Sequence, residues 1–438
     1  MQMRHSIAVV AIAATLFAGC ASTVLAQGAS PSVTIPNSSI AGPGDAGVLA
    51  HTNIQILGSP GNFTGVPQFS GPPFPGYFYE DPASIACIYN LQPGVPGCNP
   101  NVVHLNPRGG SRAIAIVDAF DDPNAYADLA AFSAQFGVEA AGNRNFAVVF
   151  APAGSTTTPG SCTGPATRPP VDPSGGWELE ESLDIEWAHA MAPEATLYLV
   201  EAQSNYDTDL FCAVTIASSL VKKAGGGEVS MSWGGGEFPQ ETVFDTFFTT
   251  SGVVYFAAAG DGPGVIYPSA SPNVVSVGGT SLSRNPITGS FIGEINWQDG
   301  GSGPSAYESR PKYQNGIASI VGSHRGTPDV AADANPNTGV WVLDNFVAPA
   351  FGSNYCGGFT PCWLIVGGTS VATPMWAGIV NAAGNLAAST QAELAKLYGN
   401  SYADFTDITQ GWCGPYIGYS ASPGWDFCTG LGSPNFGR

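Results

Sequence analysis

A serine at the predicted start of a helix is the strongest candidate for covalent chemistry in this chain. Ser370 follows Gly367, Gly368 and Thr369, and a segment predicted to be helical runs from about Ser370 to Ala387. The glycines allow another backbone to approach closely, and the positive end of a helix stabilises negative charge that develops beside the hydroxyl. We interpret Ser370 as a nucleophile; a serine that only caps the helix is the alternative.

The letters Gly-Gly-Thr-Ser occur twice, which provides an internal comparison. They also form residues 278–281, but the segment after Ser281 reaches Pro286 without a helical pattern. A serine without a helix N-terminus beside it would gain no such stabilisation of developing charge. We therefore interpret Ser281 as structural and Ser370 as the candidate.

No histidine is an evident base for this serine. The five histidines are His5, His51, His104, His189 and His324, and none has a sequence context that suggests such a role. A carboxylate must then take the proton, which indicates chemistry that works in acid, since the ordinary pKa of a glutamate is about 4.3.

An acidic helix predicted near residues 177–190 contains the best candidate for that base. Glu180 and Asp184 lie four residues apart, so they share one helical face. Two carboxylates held that close tend to share a proton and titrate as a coupled pair. A solvated acidic face is the alternative, and it is our interpretation of the other acidic residues of this helix, Glu178, Glu181 and Glu186.

Asp261 is the candidate for stabilising an oxyanion. It follows the small-residue strand predicted at residues 253–257, and ligands meet an α/β fold at the ends of such strands. A protonated carboxyl there could donate a hydrogen bond to an oxyanion, whereas the ionised form would repel the developing charge. The alternative is a loop aspartate that makes an Asx turn.

Two aspartates near the C-terminal end could supply hard oxygen ligands. Asp407 and Asp426 lie in Gly-rich turns whose backbone carbonyls could join their carboxylates around Ca²⁺. The segment is not an EF-hand loop, and turns without a metal are the alternative.

In this order the four stretches resemble the sedolisin family of serine-carboxyl peptidases. That family has Glu-x-x-x-Asp on a helix, a Gly-Asp turn, Ser-Gly-Thr-Ser before a Pro-containing helix, and a closing Asp-Ile/Val, Gly-Trp-Asp and Thr-Gly-Leu-Gly-Ser-Pro. The corresponding positions here are residues 180–184, 260–261, 367–374, 407–408, 424–426 and 429–434, with 117–123 and 232–235 as further family-like segments. The likeness covers about residues 80–434, with Gly367 and Ser422 replacing a usual serine and a usual glycine.

The resemblance implies a role for each matched position. Ser370 would be the nucleophile, Glu180 its general base, Asp184 the group that orients Glu180, and Asp261 a member of the oxyanion hole. An edge strand would pair with the substrate backbone through Ser232, Trp233, Gly234 and Gly235. Calcium would be held by the side chains of Asp407 and Asp426 and by backbone oxygens of Ile408, Ser422 and Gly424.

The activity implied is that of a secreted endopeptidase that hydrolyses peptide bonds at acidic pH. A tripeptidyl-peptidase of the same family and a non-catalytic binding protein on the same fold are the alternatives. An esterase or lipase is disfavoured because the chain lacks the Gly-x-Ser-x-Gly elbow and a suitable histidine.

Periodicity predicts the elements that would position these residues. Apolar strands are expected at 113–117, 146–150, 196–200, 229–233, 253–257 and 274–277, with helices near 124–136, 177–190, 207–223 and 240–250. Such alternation predicts a mainly parallel sheet with helices on both faces. The resemblance implies a subtilisin-like three-layer α/β fold.

The predicted domain organisation is a signal peptide at 1–26, an extended Gly/Pro/Ser-rich arm at 27–80 and a peptidase domain at 81–438. Many members of the family have a long pro-domain where this chain has the arm, and both a vestigial arm and an enzyme that needs no proregion stay open. A bacterial lipobox around Cys20 is the alternative to cleavage near Ala26.

Charge and cysteine content restrict the class of partner and compartment. Lys and Arg number 13 against 33 Asp and Glu, and a net charge of -20 disfavours binding to nucleic acid. We expect peptide substrates, no transmembrane segment and a monomer. The eight cysteines after Cys20 fit disulfides, and pairing between neighbours would give Cys87–Cys98, Cys162–Cys212, Cys356–Cys362 and Cys413–Cys428. A zinc site is the alternative, although no Cys-x-x-Cys pair exists.

Overall fold

Strands and helices alternate along most of the chain, because apolar β-branched runs are separated by segments of helical periodicity. The computed structural model describes residues 32–57, 73, 78–91, 99–100, 105–141, 145–154, 162, 164–285, 287–346, 361–399, 404–414 and 418–436. The predicted signal peptide with Cys20, and residues 27–31, 58–72 and 74–77 of the predicted arm, lie outside the described residues.

The first strands along the chain are β1 (Val33–Thr34), β2 (His51–Thr52), β3 (Gln55–Leu57), β4 (Ala113–Ala119), β5 (Phe146–Phe150), β6 (Thr196–Ala202), β7 (Gly227–Met231), β8 (Trp233–Gly236), β9 (Val253–Ala258), β10 (Ile266–Tyr267) and β11 (Val275–Arg284). They are followed by β12 (Phe291–Asn296), β13 (Gly303–Ser309), β14 (His324–Thr327), β15 (Val330–Asp333), β16 (Val340–Leu343), β17 (Trp363–Gly367), β18 (Phe405–Thr406), β19 (Trp412–Cys413), β20 (Tyr419–Ser420) and β21 (Ser433–Pro434).

The α-helices are α1 (Pro82–Ile88), α2 (Ala125–Phe136), α3 (Gly176–Met191), α4 (Asp207–Lys223), α5 (Ala318–Val321), α6 (Thr369–Ala383) and α7 (Thr390–Gly399). Short 3₁₀ helices span Asn37–Ser39, Glu241–Phe248 and Lys312–Ile317.

The central sheet has eight strands in the order β12-β11-β9-β7-β4-β6-β5, with β15 also paired to β11. All of these pairs are parallel except β11 with β12. A parallel sheet must be covered on both faces, since its strands are apolar on both. The predicted α/β, mainly parallel architecture is confirmed.

Alternation along β4 shows how the two faces are covered. Ile114 and Ile116 belong to one hydrophobic core, which also contains side chains of α2, α3 and α6. Ala115 and Val117, which point to the other side of the strand, belong to a second core with α4. The molecule therefore has three layers, helices on each side of the sheet.

A close contact between α3 and α6 brings the two predicted catalytic segments together. Gly378 in α6 faces Met191 and Ala188 of α3, and a Cβ at Gly378 would lie 2.6 Å from the Met191 Cβ. The absence of a side chain thus lets the two helix backbones approach. Glu180, in the first half of α3, and Ser370, at the start of α6, become neighbours.

Three elements differ from their predicted bounds. Helix α6 stops at Ala383 rather than Ala387, because Gly384 adopts the left-handed conformation that ends helices. The helix predicted near 240–250 is a 3₁₀ helix. The strand predicted at 274–277 extends as β11 to Arg284, so Ser281 lies inside a strand and accepts a hydrogen bond from the Asn335 Nδ2 at 2.9 Å.

Residues 32–57 of the predicted arm are extended but packed against the rest of the fold. Strand β2 pairs antiparallel with β8, and β3 pairs antiparallel with β17. Ile54 and Ile56 are fully buried in the core that contains α3 and α6. The periodicity of so short a segment gave no sign of this burial, and the boundary between arm and domain at residue 80 stays a prediction.

Two of the predicted disulfides are present: Cys162–Cys212 and Cys413–Cys428. Cys87 and Cys362 are also disulfide-bonded, while their predicted partners Cys98 and Cys356 lie outside the described residues. These bonds fit an oxidising compartment. Within the part of the chain that the structure describes, no helix is both long and apolar enough to cross a membrane.

Candidate active site

Ser370 lies in the first turn of α6 and is completely buried. Its Oγ donates a hydrogen bond of 2.9 Å to the Ser232 carbonyl oxygen and accepts one of 3.2 Å from the Asn53 backbone N–H. Pro374, which follows four residues later, has no N–H to donate to the Ser370 carbonyl, and the Ser232 Oγ lies 3.4 Å from that oxygen instead. The local sequence therefore holds Ser370 against Ser232.

The predicted carboxylate pair adjoins this serine. Glu180 is fully buried, and the nearby Ser370 hydroxyl lowers its pKa, although neither Glu180 carboxyl oxygen has a hydrogen-bond partner among the described residues. Asp184 is also buried, and its Oδ1 accepts a 2.8 Å hydrogen bond from the Ser232 Oγ. Ser232 thus contacts both Ser370 and Asp184.

Asp118 is a third carboxyl at this position, and the sequence analysis did not assign it a role. It is the next-to-last residue of β4, it is fully buried, and neither of its carboxyl oxygens has a partner among the described residues. Its charge raises the pKa of Glu180 and of Asp184. An aspartate at the carboxyl end of a central parallel strand is the signal that could have identified it.

Burial is the main cause of the raised pKa values of these carboxyl groups. Desolvation raises the pKa of Glu180 and Asp184 well above their ordinary values, and it raises the pKa of Asp118 to about 8. The ordinary glutamate value, on which the sequence-based acid window rests, does not apply to this buried pair. Neighbouring carboxyls oppose each other's ionisation, so the group shares its protons.

The predicted surface positions of Glu178, Glu181 and Glu186 are wrong, because all three are fully buried. Helix α3 contacts α1, α2 and α6, strands of three sheets and the 3₁₀ helix of the arm, so it has no solvated face. The Glu178 Oε1 accepts from the Asp172 N–H, and the Glu186 Oε2 accepts from the Leu343 N–H. Both oxygens of Glu181 lack a partner among the described residues.

These raised pKa values predict that the protein is most stable in acid. A carboxyl whose pKa is raised on folding contributes fully below its unfolded value of about 4, and the contribution is lost as pH rises toward the folded value. Burial sets the pKa of Glu178 to about 8 and of Glu201 to about 9. Each such group should lower the free energy of unfolding by about 1.4 kcal/mol per pH unit between these limits.

Calorimetry between pH 4 and pH 8 tests this prediction. We expect the melting temperature to fall as pH rises, and Glu181→Gln, which replaces a buried carboxyl by a neutral amide, to flatten the decline. Exposed Glu139→Gln is the matched control and should follow the wild type. A melting temperature that rises toward pH 8 would refute the expected linkage.

Asp261 lies in the loop after β9 and contacts the first residue of α6, Thr369. Its Oδ1 accepts from the Thr369 N–H at 2.7 Å and from the Thr369 Oγ1 at 2.9 Å. Its Oδ2 is buried and has no partner among the described residues. Burial raises the pKa of Asp261 to about 8, although the bonds from Thr369 lower it, so the carboxyl is neutral in acid. A neutral Oδ2–H is a free donor beside the nucleophile.

Gly368 leaves the space between Asp261 and Ser370 open. Its φ is 111°, a conformation that favours glycine, and a Cβ there would lie 2.6 Å from the Asp261 Oδ2 and would overlap the Asn53 carbonyl oxygen. That carbonyl accepts a 3.2 Å hydrogen bond from the Ser370 N–H. The Asn53 carbonyl oxygen therefore lies beside Ser370, between the Ser370 N–H at the start of α6 and the Asp261 carboxyl.

The strand predicted to bind substrate, Ser232 to Gly235, borders the same pocket. Trp233 is buried and donates from Nε1 to the Val117 carbonyl oxygen at 2.7 Å. Gly234 and Gly235 continue as β8, which lies between β10 and β2. We predicted that substrate would pair with an edge of this strand. In the structure β2, which belongs to the arm, pairs with that edge of β8.

Two of the described histidines contact groups outside the site. His51 contacts the Asp45 Oδ2 at 2.9 Å and the Ser38 carbonyl oxygen at 3.3 Å, and His189 contacts the Glu139 carbonyl oxygen at 2.6 Å. His324 is exposed on β14. His5 and His104 lie outside the described residues.

The five predicted calcium ligands lie in one loop region between β18 and β21. The Gly424 N–H donates to the Asp407 Oδ2 at 2.9 Å, and the Ser422 N–H donates to the Asp426 Oδ2 at 2.7 Å. Asp407 raises the pKa of Asp426, which burial already sets to about 6. Two neighbouring carboxyls that repel each other suit the ligand chemistry of Ca²⁺, while the Asp426 carboxyl already accepts backbone N–H bonds from Ser422, Cys428 and Thr429. No cluster of three His, Cys, Asp or Glu side chains suited to a metal occurs in the described ranges.

Comparison with known proteins identifies the family of this chain. The sequence profile described as "Subtilase family" matches residues 175–404, just over half of the chain. The chain belongs to the subtilase family. Its relatives confirm the sedolisin resemblance: kumamolisin of Bacillus sp. is 31% identical over 311 residues, which are 63% of this chain and 52% of that protein. Sedolisin of Pseudomonas sp. is 26% identical over 298 residues, which are 59% of this chain and 47% of that protein.

Human tripeptidyl-peptidase 1 is 30% identical over 198 residues, which are 39% of this chain and 31% of that protein. The solved Pseudomonas sedolisin, described as a serine-carboxyl proteinase, superimposes with a TM-score of 0.63 at 23% identity and covers 81% of this chain and 95% of that one. This likeness confirms the subtilisin-like fold. The chain spans about half the length of kumamolisin and sedolisin, and its family groups it with the serine-type peptidases.

Proposed function

We propose that this protein is a secreted serine-carboxyl endopeptidase that hydrolyses peptide bonds in acid. The observation that supports it most is the convergence of three groups on one buried pocket: the Ser370 hydroxyl, the Glu180–Asp184 pair and the Asp261 carboxyl. A binding protein without activity would have no reason to bury so many carboxyls beside one hydroxyl, since their desolvation costs stability.

In the proposed reaction, Ser370 Oγ adds to the peptide carbonyl carbon while Glu180 takes the hydroxyl proton. The hydroxyl must first leave its bond with the Ser232 carbonyl oxygen. Asp184 and Asp118 share the negative charge with Glu180, and only molecules with Glu180 ionised can accept the proton. Because burial raises the pKa of Glu180, the fraction of such molecules falls as pH falls, and this loss sets the acidic limb of the pH–rate profile. The oxyanion accepts hydrogen bonds from the Ser370 N–H and from neutral Asp261. Glu180 then protonates the leaving amine, and water hydrolyses the acyl-enzyme.

Endopeptidase action is favoured over tripeptidyl-peptidase action by the path of the arm. The chain passes Ser370 with strand β2 on one side and β3 on the other, so the pocket accepts a polypeptide that continues in both directions. A tripeptidyl-peptidase must close the cleft three residues before the cut. Digestion of an unstructured protein distinguishes the two: internal fragments support the proposal, and release of tripeptides alone supports the alternative.

The role of Asp261 predicts a specific pH dependence. Because burial sets its pKa to about 8, turnover should fall as pH rises through that value and the carboxyl loses its proton. Asp261→Ala should reduce kcat by about 100- to 1,000-fold below pH 8. Half-buried Asp299→Ala is the control: Asp299 lines the same cavity as Asp261, and its removal takes away only a charge that raises the pKa of Asp261, so turnover at pH 4 should stay near that of the wild type. Equal rates for both variants would contradict an oxyanion role for Asp261.

Calcium is proposed as a structural ion, held by Asp407 and Asp426 with backbone oxygens of Ile408, Ser422 and Gly424. A bound Ca²⁺ would offset the repulsion between the two carboxylates and fix the loop that precedes β21. Adding a chelator should lower the melting temperature, and Asp426→Asn should reduce that difference. No chelator effect on the wild type would contradict the proposal.

A further inference from the structure

A carboxyl group ties the end of the predicted substrate strand to a neighbouring strand. Strand β8 ends at Gly236, and Glu237 follows it directly. The Glu237 carboxylate accepts a hydrogen bond from the Ser305 Oγ, and the Ala306 N–H donates to its two oxygens at 3.0 and 3.2 Å. Both donors belong to β13, so Glu237 fixes the end of β8 to that strand.

Glu241, the first residue of the 3₁₀ helix that follows β8, holds Glu237 in turn. It is fully buried, and its Oε2 accepts a 2.9 Å hydrogen bond from the Phe238 N–H. Its Oε1 receives no hydrogen bond from the described residues. Burial raises the pKa of Glu241 to about 9, and a hydrogen bond to Glu237 contributes because only protonated Glu241 can donate it. In acid, the two carboxyls are therefore joined by a shared proton.

A second carboxyl pair supports the same part of β8 from the other side. Glu308 of β13 is buried, which raises its pKa to about 8, and its protonated form donates to Asp245. The Asp245 Oδ1 also accepts a 3.2 Å hydrogen bond from the Tyr267 hydroxyl. Tyr267 lies in β10, where it pairs with Gly235 of β8. The two pairs thus connect β13 with both β8 and β10.

The charges around these pairs favour shared protons. Arg325 of β14 lowers the pKa of Glu308 and of Asp245, but burial, which raises both, has the larger effect. The Arg325 guanidinium is already paired with Asp329 through hydrogen bonds of 2.6 and 2.7 Å. The remaining titratable neighbours carry no positive charge: Glu237, Glu241, Tyr267 and Tyr313. Carboxyls that are buried together without matching cations keep protons between them.

We propose that Glu241 is a positioning residue for substrate: its hydrogen bond to Glu237 holds the end of β8 in the conformation that pairs with a peptide backbone. This inference rests on the proposed function and on the predicted pairing of substrate with residues 232–235. Glu241 contacts Glu237 and Phe238 rather than Ser370 or Glu180. Its loss should therefore weaken substrate binding and leave the chemical steps intact.

Steady-state kinetics at pH 4 with an unstructured peptide test the inference. Glu241→Leu removes the donor and should raise KM by at least about tenfold, with kcat changed by less than about threefold, because hydrogen bonds to a carboxylate are strong. Glu241→Gln should restore the wild-type KM, since its amide oxygen can accept from Phe238 while its NH₂ donates to Glu237. Glu393→Leu is the matched control: it makes the same change at a buried glutamate of α7 and should lower stability with KM unchanged.

Hydrogen exchange of the β8 amides separates this inference from the proposed function, because it requires no catalysis. At pH 4, Glu241→Leu should lose protection at residues 233–236 relative to β9, while wild type and Glu241→Gln keep it. Half-buried Glu237→Ala removes the acceptor with little risk to folding and should reproduce both the loss of protection and the rise in KM.

Unchanged KM and unchanged protection of β8 in Glu237→Ala would overturn the inference and leave the peptidase function standing. Equal rises in KM for Glu241→Leu, Glu241→Gln and Glu393→Leu would overturn it as well, since they would indicate a general effect of removing buried carboxyls. No peptide hydrolysis by the wild type would overturn the proposed function, and with it the role of Glu241 in binding substrate.

Discussion

Replacing Ser370 by alanine should lower the turnover of peptide substrates by about 10⁶-fold, because loss of a catalytic nucleophile leaves only the oxyanion donors and substrate binding. The matched control is Ser281→Ala. Ser281 has the same three preceding residues, but it lies within β11 and its hydroxyl accepts a hydrogen bond from Asn335. Ser281→Ala should therefore keep nearly full turnover and lose at most about 1 kcal/mol of stability.

Both variants should be compared at pH 4 with an unstructured peptide, after the state of the arm has been established by mass spectrometry. Similar turnover in Ser370→Ala and wild type would exclude Ser370 as the nucleophile. A large loss in both serine variants would instead indicate that the Gly-Gly-Thr-Ser segments act through folding.

Replacing Glu180 by glutamine should lower kcat by about 10⁴-fold or more, since an amide of the same shape cannot accept the Ser370 proton. The control is Glu186→Gln on the same helix. Glu186 is equally buried, but its Oε2 accepts a hydrogen bond from the Leu343 N–H. That variant changes the same chemical group about two turns away, so we expect a change in stability with turnover largely retained.

The pH dependence of the residual rate distinguishes a base from a structural carboxyl. Glu180→Gln should lose the acidic limb of its pH–rate profile, since the group that must lose a proton is gone. Glu186→Gln should keep the wild-type profile. Equal kcat losses with unchanged profiles in both variants would mean that α3 merely needs its buried carboxyls for folding.

Much of this site follows from the sequence because each reacting group lies next to a strong local signal. Ser370 follows glycines at the start of a helix, Asp261 follows a buried strand, and Glu180 with Asp184 has helical spacing. Spacing alone could not predict the environment of α3. Helical periodicity shows which residues share a face, but it does not show that every face is covered, so Glu178, Glu181 and Glu186 were assigned to solvent.

The arm shows a second limit of prediction from the sequence, which concerns pairing between distant segments. Its short strands contain no period long enough to detect, and β2 and β3 are fixed by pairing with β8 and β17, which lie far away in the sequence. Asn53 therefore gave no sign of its contacts with Ser370. Asp118 was visible as the end of a strand, but its role depends on charges from another element, α3, that only the folded chain brings near.

Trapping the acyl-enzyme tests most directly whether a carboxylate activates Ser370. A peptide ester should be mixed with wild type, Ser370→Ala and Glu180→Gln at pH 4, quenched in strong acid and digested for mass spectrometry. We predict an acyl group on Ser370 in wild type, none in Ser370→Ala, and formation slowed by orders of magnitude in Glu180→Gln. An acyl group on another residue, or equally rapid acylation of Ser370 in Glu180→Gln, would contradict the proposed chemistry.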